Sequence, residues 1–98
     1  MNINLENNFR STVEYIRSLP SEGPLHEYHE SRAILYGLYK RITVGKCSEK
    51  GGEQPSMIDI IPWIKWKYWN QCNTMDINES MIKYISIVEE LKKEFIKN

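Results

Sequence analysis

The sequence predicts an all-α protein in which four helices form one bundle. Apolar residues recur at helical spacing in four stretches, Pro and Gly residues separate these stretches, and none alternates apolar and polar residues over a strand length. Of the 98 residues, 41% are hydrophobic and 27% are charged, as in ordinary globular domains. A chain of this length has room for one core, so we expect residues 1–98 to form a single domain.

The first two helices are predicted from periodicity and from the turn residues that follow them. The first extends from Asn4 to about Leu19, with the apolar stripe Leu5, Phe9, Val13 and Ile16. The second extends from about His26 to Val44, and Gly45 is suited to the C′ position after it. The polar segment 46–56, which contains Gly51, Gly52 and Pro55, is predicted to be a loop.

The last two helices carry start signals. Pro62 suits the first helical position of a third helix that ends near Cys72. Asp76 and Glu79 have the spacing of a capping box at the start of the fourth helix. The apolar set that follows is Met81, Tyr84, Ile85, Val88, Leu91 and Phe95.

The charge balance and the lack of long apolar runs exclude several classes of protein. Thirteen basic and thirteen acidic residues give no net charge, which argues against a nucleic-acid binder. No apolar run approaches the roughly 20 residues that span a bilayer, and the first residues do not resemble a signal peptide. We therefore expect a cytoplasmic monomer with at most transient membrane contact. Cys47 and Cys72 are expected to be free thiols.

No pattern indicates catalysis. His26 and His29 are spaced i, i+3, but without a third placed ligand they are better interpreted as solvated side chains in the first turns of a helix than as a metal site. Gly-rich phosphate loops and nucleophile motifs are missing from the sequence. We predict no enzyme, metal or cofactor, and thioester hydrolysis through Cys47 or Cys72 is a weaker alternative.

Tyr36, Tyr39 and Lys40 lie at i, i+3 and i+4, so one face of the second helix presents two phenols and an ammonium group. Such a face suits a flat, phosphorylated heterocycle, although a tyrosine pair at helical spacing is more often half-buried packing than a binding site. Gly37 within this helix suggests close packing or ligand approach.

A second aromatic and basic segment supports the ligand interpretation. Trp66 and Trp69, which we expect to be mainly core residues, follow Lys65. The sequence resembles the acyl-CoA-binding protein family in residues 35–45 (LYGLYKRITVG) and 65–70 (KWKYWN). The resemblance extends to Phe9, residues 19–20 and residues 81–84. The resemblance covers about residues 9–95.

The resemblance implies an up-down-down-up four-helix fold that binds long-chain acyl-CoA thioesters. By this resemblance the 3′-phosphate meets Tyr36, Lys40 and Lys65, and adenine lies against Val13, Tyr36, Tyr39 and Tyr84. It further implies that Gly37 and Leu38 contribute to the nucleotide side and that Arg17 replaces a usual lysine there. The residues implied to border the acyl groove are Phe9, Arg32, Ala33, Leu35 and Ile60.

Several residues depart from the family pattern. Arg41 replaces a common glutamine, whereas Ile61 and Trp63 replace lysines, which predicts fewer diphosphate partners on the third helix. Ala33 and Val13 replace a typical leucine and alanine, which predicts an altered groove width.

The cations are concentrated in one part of the chain, because residues 32–67 carry seven basic and three acidic side chains. A local surplus of this size suits one small phosphorylated ligand. We therefore expect an intracellular acyl-CoA carrier and buffer. The alternative is a helical protein-interaction module that uses the same aromatic faces against a partner helix.

Overall fold

The computed structural model describes residues 3–23, 25–26 and 29–96. Within these residues the chain forms five helices and no strand: α1 (Ile3–Ser18), α2 (Glu30–Thr43), α3 (Cys47–Lys50), α4 (Ile60–Asn70) and α5 (Ile77–Ile96). The predicted all-α class is confirmed. The one-turn helix α3 lies in the segment that was predicted to be a loop.

The largest difference from the predicted boundaries is the start of α2. His29 has an extended backbone, and its Nδ1 atom accepts a hydrogen bond from the Ser31 N–H at 3.1 Å. His29 is therefore the N-cap, and the predicted start near His26 is wrong; residues 27 and 28 lie outside the described residues. The histidine pair thus precedes the helix instead of lying in its first turns.

Helix α4 begins two residues before the predicted position and ends at Asn70, not Cys72. Pro62 is its third residue, where a missing N–H costs no intrahelical hydrogen bond. The start of α5 is confirmed, since the Glu79 N–H donates to Asp76 Oδ1 at 2.7 Å. Gly45 follows the C-cap Val44 with φ +128°, as its predicted C′ position requires.

Contacts between α2 and α4 show that these two helices are parallel. The ammonium group of Lys65 lies over the ring of Tyr36, and that of Lys40 lies over the ring of Trp69, four residues further along each helix. Residues later in α2 therefore contact residues later in α4, which is the pattern of two parallel helices.

The helices α1 and α5 are parallel for the same reason. The rings of Phe9 and Tyr84 are 5.1 Å apart, and Lys92 lies 4.5 Å from the centre of the Tyr15 ring. Helix α2 is antiparallel to α5, because Arg41 near its end donates to the Met75 carbonyl just before α5 begins. These directions are the predicted up-down-down-up topology.

The hydrophobic core lies where α1, α2 and α5 meet. Val88 is fully buried there, and Leu38 is nearly so. The other buried members of this core are Phe9, Val13, Ile16, Leu25, Leu35, Cys72, Met81, Tyr84 and Leu91. None of the helices in the described part of the chain combines the length and apolar character needed to cross a membrane.

Gly37 lies at the crossing of α2 and α4. A Cβ atom added there would be 2.6 Å from the backbone carbon and oxygen of Tyr68. Replacing Gly37 by alanine is therefore expected to lower the free energy of unfolding by about 1–3 kcal/mol through overpacking. In an uncrowded helix the same change raises it by about 1 kcal/mol. Urea denaturation, with Ser86→Ala on the exposed side of α5 as the control, distinguishes these signs; a stabilised Gly37→Ala variant would contradict the close crossing.

Candidate ligand-binding site

A cavity of about 660 Å³ lies beside α2 and is bounded by α4 and by the inner faces of α1 and α5. Of the residues that the sequence singles out, those lining it are Val13, Arg17, Arg32, Ala33, Leu35, Tyr36, Tyr39, Lys65 and Tyr84. The bundle thus brings together side chains from four helices that are distant in sequence.

Five residues of the predicted set do not line this cavity. Phe9 and Leu38 are buried in the core, and Gly37 lies against the backbone of α4. Ile60 is 62% exposed at the start of α4. Lys40 lies one turn beyond Tyr36 and outside the cavity lining, with its Nζ atom 5.0 Å from the centre of the Trp69 ring.

Two cations of the cavity rest on tyrosine rings of α2. The Arg17 guanidinium donates to the Tyr39 hydroxyl at 2.8 Å and lies 5.4 Å from the centre of that ring. The Lys65 Nζ atom lies 5.1 Å from the centre of the Tyr36 ring. Such contacts hold a cation near an aromatic face without neutralising its charge.

Lys67 adds a third cation, which sequence reasoning missed. Its Nζ atom lies 5.2 Å from the centre of the Trp63 ring, and both residues line the cavity. The i, i+4 spacing of Trp63 and Lys67 was a usable signal, since residues so spaced share a helix face. Lys67 thus supplies positive charge on α4, where Ile61 and Trp63 replace the family's lysines.

None of these three cations is in an ion pair within the described residues. The ion pairs found there join Arg10 to Glu6, Lys92 to Glu89 and Lys93 to Glu90, all within α1 or α5. The cavity also contains the Glu30 carboxylate, which accepts a hydrogen bond from the Tyr68 hydroxyl at 3.0 Å. The cavity therefore has cations available to an anionic ligand.

Arg32 has a structural role at the edge of the cavity. Its Nε atom donates to the Leu25 carbonyl at 2.7 Å, and its Nη2 atom lies 3.5 Å from the Pro20 carbonyl. The side chain therefore anchors the connection between α1 and α2. The cavity lining also includes six residues that sequence reasoning did not assign to the site: Ile16, His29, Glu30, Ile61, Ile64 and Tyr68.

A smaller cavity of about 270 Å³ adjoins the first across Tyr36, Ile61 and Lys65, which line both. Trp66 and Trp69 form part of its wall. Trp69 is buried and donates its indole N–H to the Gly45 carbonyl at 2.8 Å. The indole N–H groups of Trp63 and Trp66 are buried and have no hydrogen-bond partner in the part of the chain that the structure describes.

Neither cysteine is placed for catalysis. Cys47 and Cys72 are buried and free, and burial raises the pKa of both thiols. A raised pKa disfavours the thiolate, which is the nucleophilic form. The described residues bring no group of three or more His, Cys, Asp or Glu side chains together as a metal site.

Tyr84 makes the stability of the fold sensitive to alkaline pH. Burial raises the pKa of its phenol to about 12, against the lowering effect of Arg17. The neutral phenol therefore stabilises the fold below pH 10, and this contribution is lost as the pH rises from 10 through 12. The loss is on the order of 2 kcal/mol for a shift of two units.

Urea denaturation at pH 9 and at pH 11 measures this loss. Tyr84→Phe is expected to remove part of the decline in unfolding free energy between these pH values. An equally steep decline in the variant would show that other groups account for all of it, and Tyr15→Phe, at a partly buried tyrosine of α1, serves as the control.

The fold and the cavity define a class of protein: a small helical domain whose cavity combines cations with apolar walls. Residues 6–88 match the model of the family described as Acyl CoA binding protein, and the chain belongs to this family. That family is one of binding proteins, and its ligand is acyl-CoA.

Individual relatives agree with this assignment. The chain is 42% identical over 62 residues to acyl-CoA-binding domain-containing protein 4 of Oryza sativa subsp. japonica, covering 63% of this chain and 18% of that one. It is 25% identical over 89 residues to acyl-CoA-binding protein homolog 3 of Caenorhabditis elegans, covering 91% and 74%. The chain therefore spans less than a fifth of the rice protein and about three quarters of the nematode one.

A solved structure has the same fold. The crystal structure of Oryza sativa acyl-CoA-binding protein 2 superposes with a TM-score of 0.75 at 28% identity, covering 93% of each chain. The all-α arrangement of this chain is thus that of a known acyl-CoA-binding protein.

Proposed function

We propose that this chain binds long-chain fatty acyl-CoA non-covalently in the cavity beside α2 and acts as a carrier and buffer of these thioesters. The observation that carries the proposal is the set of cavity cations, Arg17, Lys65 and Lys67, which rest on aromatic rings and have no carboxylate partner among the described residues. A cytoplasmic location, a monomeric state and a single domain over residues 1–98 belong to the same proposal.

The nucleotide end of the ligand is assigned to the aromatic and basic side of the cavity. Tyr36 and Tyr39 offer rings for adenine, and Lys65 and Arg17 offer donors for phosphate oxygens. Burial raises the pKa of the Tyr36 phenol, so its hydroxyl remains a hydrogen-bond donor at neutral pH. Lys40 reaches the same phosphate only if its ammonium group leaves the Trp69 ring.

The acyl chain is assigned to the apolar side of the cavity, where Ala33, Ile61 and Ile64 line the wall. Each buried methylene contributes about 0.8 kcal/mol to binding. Hydrogen bonds to ionised phosphate contribute about 1.5–3 kcal/mol each. A cavity with cations at one side and apolar walls at the other therefore fits both parts of the thioester, and no bond is broken.

The alternative, a protein-interaction module, needs the Tyr36 and Trp69 faces to be available to a partner helix. Trp69 is buried, with the Lys40 ammonium group over its ring, so it is not available to a partner helix. These contacts within the chain favour the carrier proposal.

Titration calorimetry with palmitoyl-CoA, free CoA and palmitate tests the proposal. We expect micromolar or tighter binding of palmitoyl-CoA and weaker binding of each part alone, because the nucleotide and the chain both contribute. No heat of binding with palmitoyl-CoA at micromolar concentrations would contradict the carrier function. Thioester cleavage during the titration would contradict the absence of catalysis.

A further inference from the structure

Tyr68 is fixed to α2 at two points. Its backbone packs against Gly37, where even a Cβ atom would be too close, and its hydroxyl donates to the Glu30 carboxylate at 3.0 Å. Glu30 and Gly37 are seven residues apart, which is roughly 10 Å along a helix. Tyr68 and the Glu30 side chain that it meets therefore bridge the first two turns of α2.

Ala33 lies between these two points on the same helix face. Glu30, Ala33 and Gly37 are spaced i, i+3 and i+7, which places all three on one side of α2. Ala33 and Tyr68 both line the main cavity. A small residue at position 33 leaves room for the Tyr68 ring, so Ala33 and the ring together border this part of the acyl groove.

This arrangement is toward the start of α2, away from Arg17 and Lys65, and the Lys67 Nζ atom lies 5.9 Å from the centre of the Tyr68 ring. Tyr36 and Tyr39, with their associated cations, lie further along α2, whereas Glu30 is its first residue. A chain that enters beside Tyr36 and extends toward the start of α2 meets the Tyr68 ring.

We propose that Tyr68, held by Glu30, closes this end of the acyl groove and limits the length of acyl chain that the protein covers. This inference rests on the proposed function, and it specifies which lengths of acyl chain the same site accepts. Chains that reach the phenol gain no further buried methylenes, so affinity stops rising at that length. The bond to Glu30 also raises the pKa of the Tyr68 hydroxyl, so the hydroxyl keeps the proton that it donates.

The test is a calorimetric series with octanoyl-, lauroyl-, palmitoyl- and arachidoyl-CoA on the unchanged chain and on Tyr68→Ala. The variant is expected to bind arachidoyl-CoA roughly tenfold or more tightly, because each newly covered methylene is worth about fourfold in Kd. Octanoyl-CoA and free CoA are expected to bind both proteins equally. Tyr68→Phe keeps the ring but loses the bond to Glu30, so its gain in affinity for arachidoyl-CoA is expected to be smaller than that of Tyr68→Ala.

An unchanged dependence on chain length in Tyr68→Ala, or an equal loss of affinity for every chain, would overturn the inference, while binding of palmitoyl-CoA by the unchanged chain would still uphold the proposed function. If Tyr68→Ala does not fold, Tyr68→Leu replaces it, with a smaller gain for arachidoyl-CoA expected and no gain overturning the inference. Failure of the unchanged chain to bind any CoA compound would overturn the proposed function, and the inference with it.

Discussion

Replacing Lys65 by alanine is expected to weaken the binding of palmitoyl-CoA and of free CoA by the same factor, roughly ten- to a hundredfold. The ammonium group lines both cavities and is held over the Tyr36 ring without an ion-pair partner. A charge-assisted hydrogen bond to phosphate is worth about 1.5–3 kcal/mol, which sets this range. Both ligands carry the phosphates, so the affinity for each should fall by the same factor.

Lys92→Ala is the matched control for this prediction. Lys92 also lies over a tyrosine ring, that of Tyr15, but on the pair formed by α1 and α5 and outside the cavity lining. Calorimetry should show unchanged affinities for this variant. A Lys65→Ala protein that keeps its affinity for free CoA but loses palmitoyl-CoA would place Lys65 beside the acyl chain, and the phosphate assignment would be wrong.

Replacing Trp69 by alanine is expected to lower the free energy of unfolding by about 3–5 kcal/mol, the usual cost of truncating a buried tryptophan. Trp69 is buried, its indole N–H binds the carbonyl of Gly45, and its ring lies beneath Lys40. The truncation removes the packing between α4 and the turn after α2, and it leaves that carbonyl without its donor. Urea denaturation followed by far-ultraviolet circular dichroism measures the loss.

Trp66→Ala provides the comparison, because Trp66 precedes Trp69 by three residues and is only half-buried. Its indole N–H has no partner among the residues that the structure describes, so truncation removes an unsatisfied donor and should cost less. Equal losses of stability in the two variants would contradict a special structural role for Trp69. Trp69→Phe should fall between them, since it keeps a ring but loses the hydrogen bond.

Periodicity and capping residues predicted the long helices well. The limits of α1 were predicted within one residue, and Asp76 marked the start of α5, because its side chain caps the first turn. The start of α2 was missed because its cap is a histidine, which is not among the side chains that ordinarily mark a helix start. Helix α3 has only four residues, too few for a periodic pattern to form.

The sequence predicted residues of the candidate site mainly at positions that belong to the family's motifs. Tyr36, Tyr39 and Lys65 could be named from the motifs, and the structure places them around one cavity. The contact of Tyr68 with Glu30 joins residues 38 positions apart, so it depends on how α2 and α4 cross. Nothing local to either residue predicts such a contact, whereas Lys67 could have been found from its spacing to Trp63.

The most direct test of ligand binding in the cavity beside α2 is a ¹H–¹⁵N nuclear magnetic resonance titration with palmitoyl-CoA. We expect the shifted signals to come from α2 and α4 around Tyr36, Tyr39 and Lys65, and to include the unpartnered indole N–H of Trp63. Signals near Tyr15 and Lys92 should remain in place. Shifts centred on that α1–α5 surface, or no shifts at all, would contradict binding in this cavity.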